Sequence, residues 1–174
     1  MWTAKHEVSD LDSEAQVNKL KTTLLIVIFL VGLDQLTKTW ALRNLTDKNL
    51  FIPGTQIGFS LTTNSGSAFS MFQSSTFLLT MFASLITVGV AIGIYKSNGK
   101  LVVISLSLIL AGALGNLADR YFREPGGGLG HVIDFIKFQS FPTFNIADSC
   151  VVIGAMLLVY SSFRSNKVEN NEHA

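Results

Sequence analysis

Four long apolar runs are the feature that most limits how this chain can fold. They extend over residues 20–44, 74–95, 101–121 and 144–163. A helix rises about 1.5 Å per residue, so about 20 apolar residues cross a hydrocarbon core of ~30 Å. Charged residues make up only 14% of the chain, against about 25% in soluble domains. We therefore predict a mainly α membrane protein with four transmembrane helices.

The polar ends of the chain divide it into three parts: an extension 1–19, a four-helix domain 20–163 and a tail 164–174. The extension is mixed in charge, and no small-residue cleavage site follows it. The first apolar run is longer than that of a signal peptide, so we predict a span that is retained. The tail is polar and is predicted to be disordered.

Four spans in series run alternately up and down, which places both termini on one side. Lys or Arg occurs seven times on that side (5, 19, 21, 96, 100, 164, 167) and six times elsewhere. The short turn 96–100 holds lysines and no acid. Because cytoplasmic loops carry the excess of basic residues, we expect both termini to be cytoplasmic.

The segment 49–72 carries no charge, yet its pattern is not that of a helix. Pro53-Gly54 is typical of a turn. After it Ile57, Phe59 and Leu61 alternate with smaller or polar residues, which predicts a half-buried strand. A strand pair cannot span lipid alone, since its edges would be unsatisfied. We expect a small β element on the extracytoplasmic membrane surface.

Polar residues concentrate at the extracytoplasmic ends of the predicted spans. Asp34 and Lys38 lie four residues apart near the end of the first span and are expected to pair. Placing a charged group in or near hydrocarbon costs free energy, so a chain that keeps such groups there is expected to use them in its function. The residues that converge are Asp34, Lys38, Asn64, Asn116, Asp119, Arg120, Asn145 and Asp148. We predict one extracytoplasmic pocket formed by these side chains.

Several kinds of chemistry can be weighed from residue types. Catalysis by a Ser-Lys pair needs a neutral lysine, and Asp34 favours the charged form of Lys38. A Ser-His pair needs His131, whereas carboxylates alone suit Mg²⁺. Two close carboxylates, Asp134 and Asp148, share a proton and can act as base and acid in peptide hydrolysis. The residues alone leave this activity and that of a proton-coupled transporter both open.

The composition limits which partners and bound groups can be expected. Net charge is +1, so no nucleic-acid partner is expected. The single Cys150 excludes an internal disulfide, and no Cys/His spacing is typical of a zinc site.

Five motifs in order, DQLTK, NSGSAFS, GNLADR, HVIDFI and FNIADS, resemble those of the lipoprotein signal peptidase (signal peptidase II) family. The motifs lie between residues 34 and 149, and the resemblance as a whole covers roughly residues 20–163. The resemblance implies a monomeric aspartic endopeptidase of the bacterial inner membrane that needs no cofactor or metal. Its substrates are diacylglyceryl-modified prolipoproteins among membrane lipids, cut just before the lipidated cysteine.

The same resemblance assigns roles to individual residues. It implies Asp134 and Asp148 as the catalytic pair and a structural pairing role for Asp119. The supporting polar residues that it implies are Asp34, Lys38, Asn64, Asn116, Arg120 and Asn145. The loop 123–130, with its glycines within 126–130, is longer and richer in glycine than is usual in the family, and a loop is expected to lie over the active site.

Overall fold

The structure is a computed structural model that describes residues 2–66 and 76–172, with side chains described within 13–66 and 76–164. It consists of four helices and one small sheet. The helices are α1 (Trp2–Asn44), α2 (Thr76–Lys96), α3 (Lys100–Phe122) and α4 (Ile146–Glu172). The strands are β1 (Leu50–Phe51), β2 (Ile57–Asn64) and β3 (Val132–Phe138). The fold class predicted from the sequence is confirmed.

All four helices contain a segment long and apolar enough to cross a membrane: Ser13–Asn44, Thr76–Lys96, Lys100–Phe122 and Ile146–Arg164. Their outer surfaces carry exposed large apolar side chains, such as Leu25, Ile86 and Phe163. The largest fully buried side chains are instead polar: Lys38, Asn145, Thr80, Asp34, Asp119, Ser105 and Ser107. An apolar exterior around a polar interior is suited to lipid, since lipid-facing polar groups would lose their hydrogen bonds.

Both polar ends of the chain are helical where the structure describes them. The extension continues α1 back to Trp2, and α4 continues to Glu172. The expectation of a disordered tail is therefore wrong over 164–172, a segment with no Gly or Pro to end the helix. The predicted start of the second span, residues 74–75, lies outside the described residues.

The helix α3 packs closely against α4 through small residues. A Cβ at Gly112 would overlap the Ala147 carbonyl oxygen and lie 2.7 Å from Val151 Cγ2. On the other helix, a Cβ at Gly154 would lie 2.7 Å from the Ser105 carbonyl oxygen. Close approach of these backbones therefore depends on glycine, as is common between membrane helices. This contact brings the end of α3 beside the start of α4.

The three strands form an antiparallel sheet in the order β1-β2-β3. The predicted strand pair corresponds to β1 and β2, joined by a turn in which Gly54 has a φ of 76°. A bulge between Phe59 and Thr62 interrupts the expected alternation. The strand β3 was not predicted. Its first four residues are buried although their side chains point alternately to opposite faces of the sheet. The sequence VIDFIKF therefore does not alternate between apolar and polar.

An aromatic cluster fixes the sheet over the end of α1. The ring centroid of Trp40 lies 5.4 Å from that of Phe59 and 6.4 Å from that of Phe135. Buried Ala41 and Leu45 of the same end complete this contact. Since successive side chains on a strand point to opposite faces, Asp134 is directed away from the cluster that holds Phe135.

Candidate active site

Asp148 lies in the first turn of α4, where the local sequence FNIAD forms a capping box. The Asp148 N–H donates to Asn145 Oδ1 at 2.9 Å, and the Asn145 N–H donates to Asp148 Oδ2 at 3.2 Å. Asn at the cap and an acid three residues later satisfy each other's backbone donors. A helix N-terminus also favours negative charge. The capping box therefore fixes the Asp148 carboxylate in one orientation.

A return of the chain brings β3 next to this helix start. The Phe144 carbonyl accepts hydrogen bonds from the N–H groups of Phe135 and Ile136 at 3.0 and 2.8 Å. Phe144 directly precedes Asn145, so the cap of α4 is placed beside Asp134. The Asn145 Nδ2 donates to Asp134 Oδ1 at 2.7 Å. One fully buried asparagine thus contacts both predicted catalytic residues.

Two further asparagines complete the contacts of the aspartates. Asn64, at the end of β2, donates from Nδ2 to Asp134 Oδ2 at 3.2 Å. Asn116, on α3, donates from Nδ2 to Asp148 Oδ1 at 2.8 Å. Its own Oδ1 accepts from Asn145 Nδ2 at 3.1 Å. The structure thus brings five predicted site residues into one hydrogen-bonded group contributed by β2, β3, α3 and α4.

Asp134 has an unusual environment for a carboxylic acid. It is 2% exposed. Burial raises the pKa of Asp134 from 3.8 to about 6, with a further contribution from the negative charge of Asp148. Hydrogen bonds from Asn64 and Asn145 and the charge of Lys38 oppose this rise. A carboxyl group of this kind holds its proton up to about pH 6, where an ordinary aspartate has lost it.

A buried ion cluster lies directly beside the aspartates. Lys38 Nζ lies 2.8 Å from both Asp34 Oδ2 and Asp119 Oδ2 and donates to Asn116 Oδ1 at 3.1 Å. The predicted pair of Asp34 and Lys38 is confirmed, while the pair with Asp119 was not foreseen. With its donors occupied in this way, Lys38 is engaged as an ion-pair partner and not as the free base of a Ser-Lys pair.

Asp34 also acts on α4. Its Oδ1 accepts the Ala147 N–H at 2.9 Å, which satisfies one of the free donors at the start of that helix. Gly115 gives the carboxylate room, since a Cβ there would lie 2.8 Å from Asp34 Oδ2. The cluster is therefore joined to the helix turn that carries Asp148.

Asp119 is held by two residues that sequence reasoning missed. Arg123 Nε donates to Asp119 Oδ1 at 2.6 Å, and Gln35 Nε2 donates to the same oxygen at 3.1 Å. The other oxygen accepts the Ile133 N–H at 3.2 Å. Arg123 carried a signal, because it follows Asp119 by four residues on one helix face. Gln35 carried none beyond its place in DQLTK.

The resemblance implied Arg120 as a supporting residue of the site. Arg123 holds Asp119, and Arg120 Nε is buried without a hydrogen-bond partner. Asp119, Asp134 and Asp148 all attract the Arg120 guanidinium electrostatically. This leaves a positively charged donor near the aspartates with unused hydrogen-bonding capacity.

The glycine-rich loop folds back on the end of α3. The N–H groups of Gly128 and Gly130 both donate to the Arg120 carbonyl at 3.0 Å. The Gly128 carbonyl accepts from Thr80 of α2 at 2.7 Å. A Cβ at Gly130 would overlap the carbonyl oxygen of Asp119, so only glycine permits this approach. The loop ties α2 to α3 and leads directly into β3. Residues 67–70 of the NSGSAFS motif lie outside the described residues.

Other predicted ligands and bases are placed differently. His131 is exposed at the end of the loop. Within 13–66 and 76–164, no three His, Cys, Asp or Glu side chains are grouped as metal ligands.

Comparisons with known proteins agree with this architecture. The family model described as Signal peptidase (SPase) II matches residues 26–164. The lipoprotein signal peptidase of Mycobacterium leprae is 42% identical over 149 residues, which are 83% of this chain and 72% of the relative. That of Mycobacterium tuberculosis strain H37Rv is 40% identical over 156 residues, 87% of this chain and 75% of the relative.

A solved bacterial membrane enzyme has the same fold. Its TM-score is 0.72 at 27% identity, and the match covers 81% of this chain and 92% of that chain. The family match and the four apolar helices together indicate a multi-pass protein of the bacterial inner membrane. The family model spans most of the chain, and the chain therefore belongs to the signal peptidase II family.

Proposed function

We propose that this enzyme removes signal peptides from diacylglyceryl-modified prolipoproteins, cleaving before the lipidated cysteine, with Asp134 and Asp148 as its catalytic pair. Membership of the signal peptidase II family supports the removal of signal peptides from prolipoproteins. The observation that carries the assignment of the pair is Asn145, which contacts both aspartates while one of them is buried and has a raised pKa.

The two aspartates divide the work according to their surroundings. In the reactive form Asp134 carries the shared proton, and its pKa of about 6, raised by burial and by a neighbouring negative charge, keeps a fraction of the enzyme in this form at neutral pH. Asp148 lies at the N-terminus of α4, which favours negative charge, and its oxygens accept hydrogen bonds from the Asn116 side-chain amide and the Asn145 main-chain N–H. Asp148 takes a proton from water, the resulting hydroxide attacks the scissile carbonyl carbon, and Asp134 gives its proton to the carbonyl oxygen. When the C–N bond breaks, Asp148 gives its proton to the leaving amine, and Asp134 recovers its proton from a hydroxyl of the tetrahedral intermediate as the carboxyl product forms.

The supporting residues position the substrate. The side chain of Asn64 is exposed, so it can bind an extended peptide without adding charge beside the pair. The Arg120 guanidinium, which Asp134 and Asp148 attract, can bind a substrate carbonyl. Substrate fixed in this way meets its nucleophile in a reactive orientation, which is a large part of the rate gain in such enzymes.

Lipid chains reach the site laterally from the bilayer. A groove of about 210 Å³ lies between α2 and α3, and Phe77, Leu85, Val88 and Tyr121 contribute to its lining. The Gly128 carbonyl of the loop accepts a hydrogen bond from Thr80, which lines this groove. An acyl chain held there would place the cysteine that carries it close to the loop and to β3.

The enzyme works as a monomer with both termini in the cytoplasm. The excess of lysines near 19–21 and 96–100 supports this orientation. The aspartates, at the opposite ends of the helices, then face the extracytoplasmic side, where water and the substrate's cysteine are both accessible.

The proposal is tested with two precursor peptides that differ only in the diacylglyceryl group on cysteine. Purified enzyme in micelles should release the signal peptide from the lipidated precursor, with the cut directly before the cysteine by mass spectrometry. The unlipidated precursor should be cleaved far more slowly, and EDTA should leave both rates unchanged. Equal turnover of the two precursors, or loss of activity in EDTA that a divalent metal restores, would contradict the proposal.

A further inference from the structure

Four charged side chains beside the aspartates form a buried cluster with no net charge. Asp34 and Asp119 contribute two negative charges, and Lys38 and Arg123 contribute two positive ones. Arg123 is the least buried of the four, at 23% exposure, while the other three are at most 1% exposed. An unpaired buried charge is strongly unfavourable, so the loss of any one member would destabilise the charge that it pairs with. Without Arg123 the cluster would carry one net negative charge.

Arg123 binds the cluster at two points. Its Nε donates to Asp119 Oδ1 at 2.6 Å, and its Nη2 donates to Gln35 Oε1 at 3.2 Å. Gln35 in turn donates to the same Asp119 oxygen and to the Gly115 carbonyl at 3.0 Å. The closed triangle of Arg123, Gln35 and Asp119 allows the Asp119 carboxylate one orientation. A fork of two guanidinium donors is suited to this arrangement, and a lysine has no such fork.

The orientation of Asp119 decides where β3 begins. Its second oxygen accepts the N–H of Ile133, the residue directly before Asp134. Arg123 also caps α3, since its own N–H donates to the Asp119 carbonyl at 2.9 Å. The loop that starts at Arg123 returns with Gly130 against the carbonyls of the same helix end. Arg123 therefore begins this loop, and through Asp119 it also supports the hydrogen bond to Ile133 at the end of the loop.

We propose that Arg123 is a positioning residue for Asp134, which acts by neutralising the buried cluster and by fixing Asp119 on the main chain of β3. The inference rests on the proposed function, because it concerns the rate of that reaction. Arg123 contacts Asp119 and Gln35, so it acts through them.

A change in the net charge of the cluster should shift the pH at which Asp134 loses its proton, which a change in packing alone would not do. The charged and polar groups that act on Asp134 are Asp148 of α4, Lys38 of α1, Arg120 of α3, Asn64 of β2 and the cap residue Asn145. Lys38 disfavours protonation of Asp134, and its effect is partly offset by the acids that pair with it. One extra negative charge in the cluster makes the catalytic proton harder to lose. One extra positive charge makes it easier to lose.

The experiment compares rate–pH profiles of cleavage for three variants. Arg123→Gln gives the cluster a net negative charge, so its alkaline limb should move to higher pH by about half a unit or more. Asp119→Asn gives it a net positive charge, so the limb should move to lower pH. The double variant is neutral again, and its limb should return toward the wild-type position while its rate stays low. Arg43→Gln, which removes an exposed charge from the last turn of α1, is the matched control and should leave the profile in place.

A fourth variant guards against loss of folding. Arg123→Lys keeps the charge without the fork, so its limb should coincide with that of wild type at a rate reduced about tenfold. Shifts of the same sign in Arg123→Gln and Asp119→Asn, or an Arg123→Gln profile that matches Arg43→Gln, would overturn the inference while wild-type cleavage leaves the proposed function intact. A wild-type enzyme that cleaves nothing would overturn both.

Discussion

Replacing Asp134 by asparagine should stabilise the protein above pH 6 while it abolishes cleavage. The pKa of Asp134 rises from 3.8 to about 6 on folding, so the folded state binds the proton more tightly than the unfolded state. The stabilisation that this provides is fully present below pH 3.8 and is lost as the pH rises through about 6. At about 1.4 kcal/mol for each pKa unit, the ionised and buried carboxylate destabilises the fold by about 3 kcal/mol at neutral pH.

Asparagine has nearly the same shape and no charge to bury. It can accept the hydrogen bond from Asn145 Nδ2, whereas its own amide nitrogen would face that of Asn64, at a cost of about 1 kcal/mol. We therefore expect Asp134→Asn to be more stable than wild type by about 2 kcal/mol at pH 7.5. At pH 4 that advantage should disappear, because the wild-type carboxyl is then neutral too.

Thermal unfolding in one detergent at pH 4 and at pH 7.5 provides the assay. The quantity of interest is the difference in melting temperature between variant and wild type, which should be clearly larger at pH 7.5. Asp47→Asn, which removes an exposed carboxyl group, is the control and should show no such difference. If Asp134→Asn melted below wild type at pH 7.5, or by the same margin at both pH values, the account of a destabilising buried charge would be refuted.

Two further variants test the helix contact and the capping box. Gly112→Ala should force α3 away from Ala147 and lower both stability, by about 1–3 kcal/mol, and activity. Gly89→Ala, whose new Cβ would enter open space, is the control and should melt at or above the wild-type temperature. Similar melting temperatures for the two alanine variants would contradict the close contact. Asn145→Ser keeps an oxygen that can cap α4 but removes the amide donor to Asp134. The melting temperature of the protein should therefore change little, while turnover should fall at least tenfold. Turnover near that of wild type would show that this donor is dispensable.

The part of the fold that follows from composition could be predicted. Apolar runs of sufficient length gave the four spans, and their alternating direction placed Asp34, Asn116 and Asp148 at one end of the helix bundle. The pair of Asp34 and Lys38 followed from helical spacing alone. Each of these features depends on local sequence or on the order of the spans.

Features that depend on distant pairings could not be predicted. The strand β3 lacks alternation because both its faces are covered, and its partners are some seventy residues away on β2. The contact of Lys38 with Asp119 and that of Gln35 with Arg123 each join two residues that are more than eighty positions apart in the sequence. Arg120 and Arg123 are both basic and both near the end of α3, so only three-dimensional packing decides which of them binds Asp119.

Single-turnover cleavage of a lipidated precursor by Asp134→Asn, Asp148→Asn and the double variant tests the central claim most directly. General acid and base terms are typically worth about 10²- to 10⁴-fold in rate, so each single variant should lose at least a hundredfold. The two groups act on one water molecule, so the double variant should be scarcely slower than either single variant. All three should remain folded and bind the precursor, and Asp47→Asn should cleave at the wild-type rate. Turnover within tenfold of wild type in either single variant would contradict the assignment of Asp134 and Asp148 as the catalytic pair.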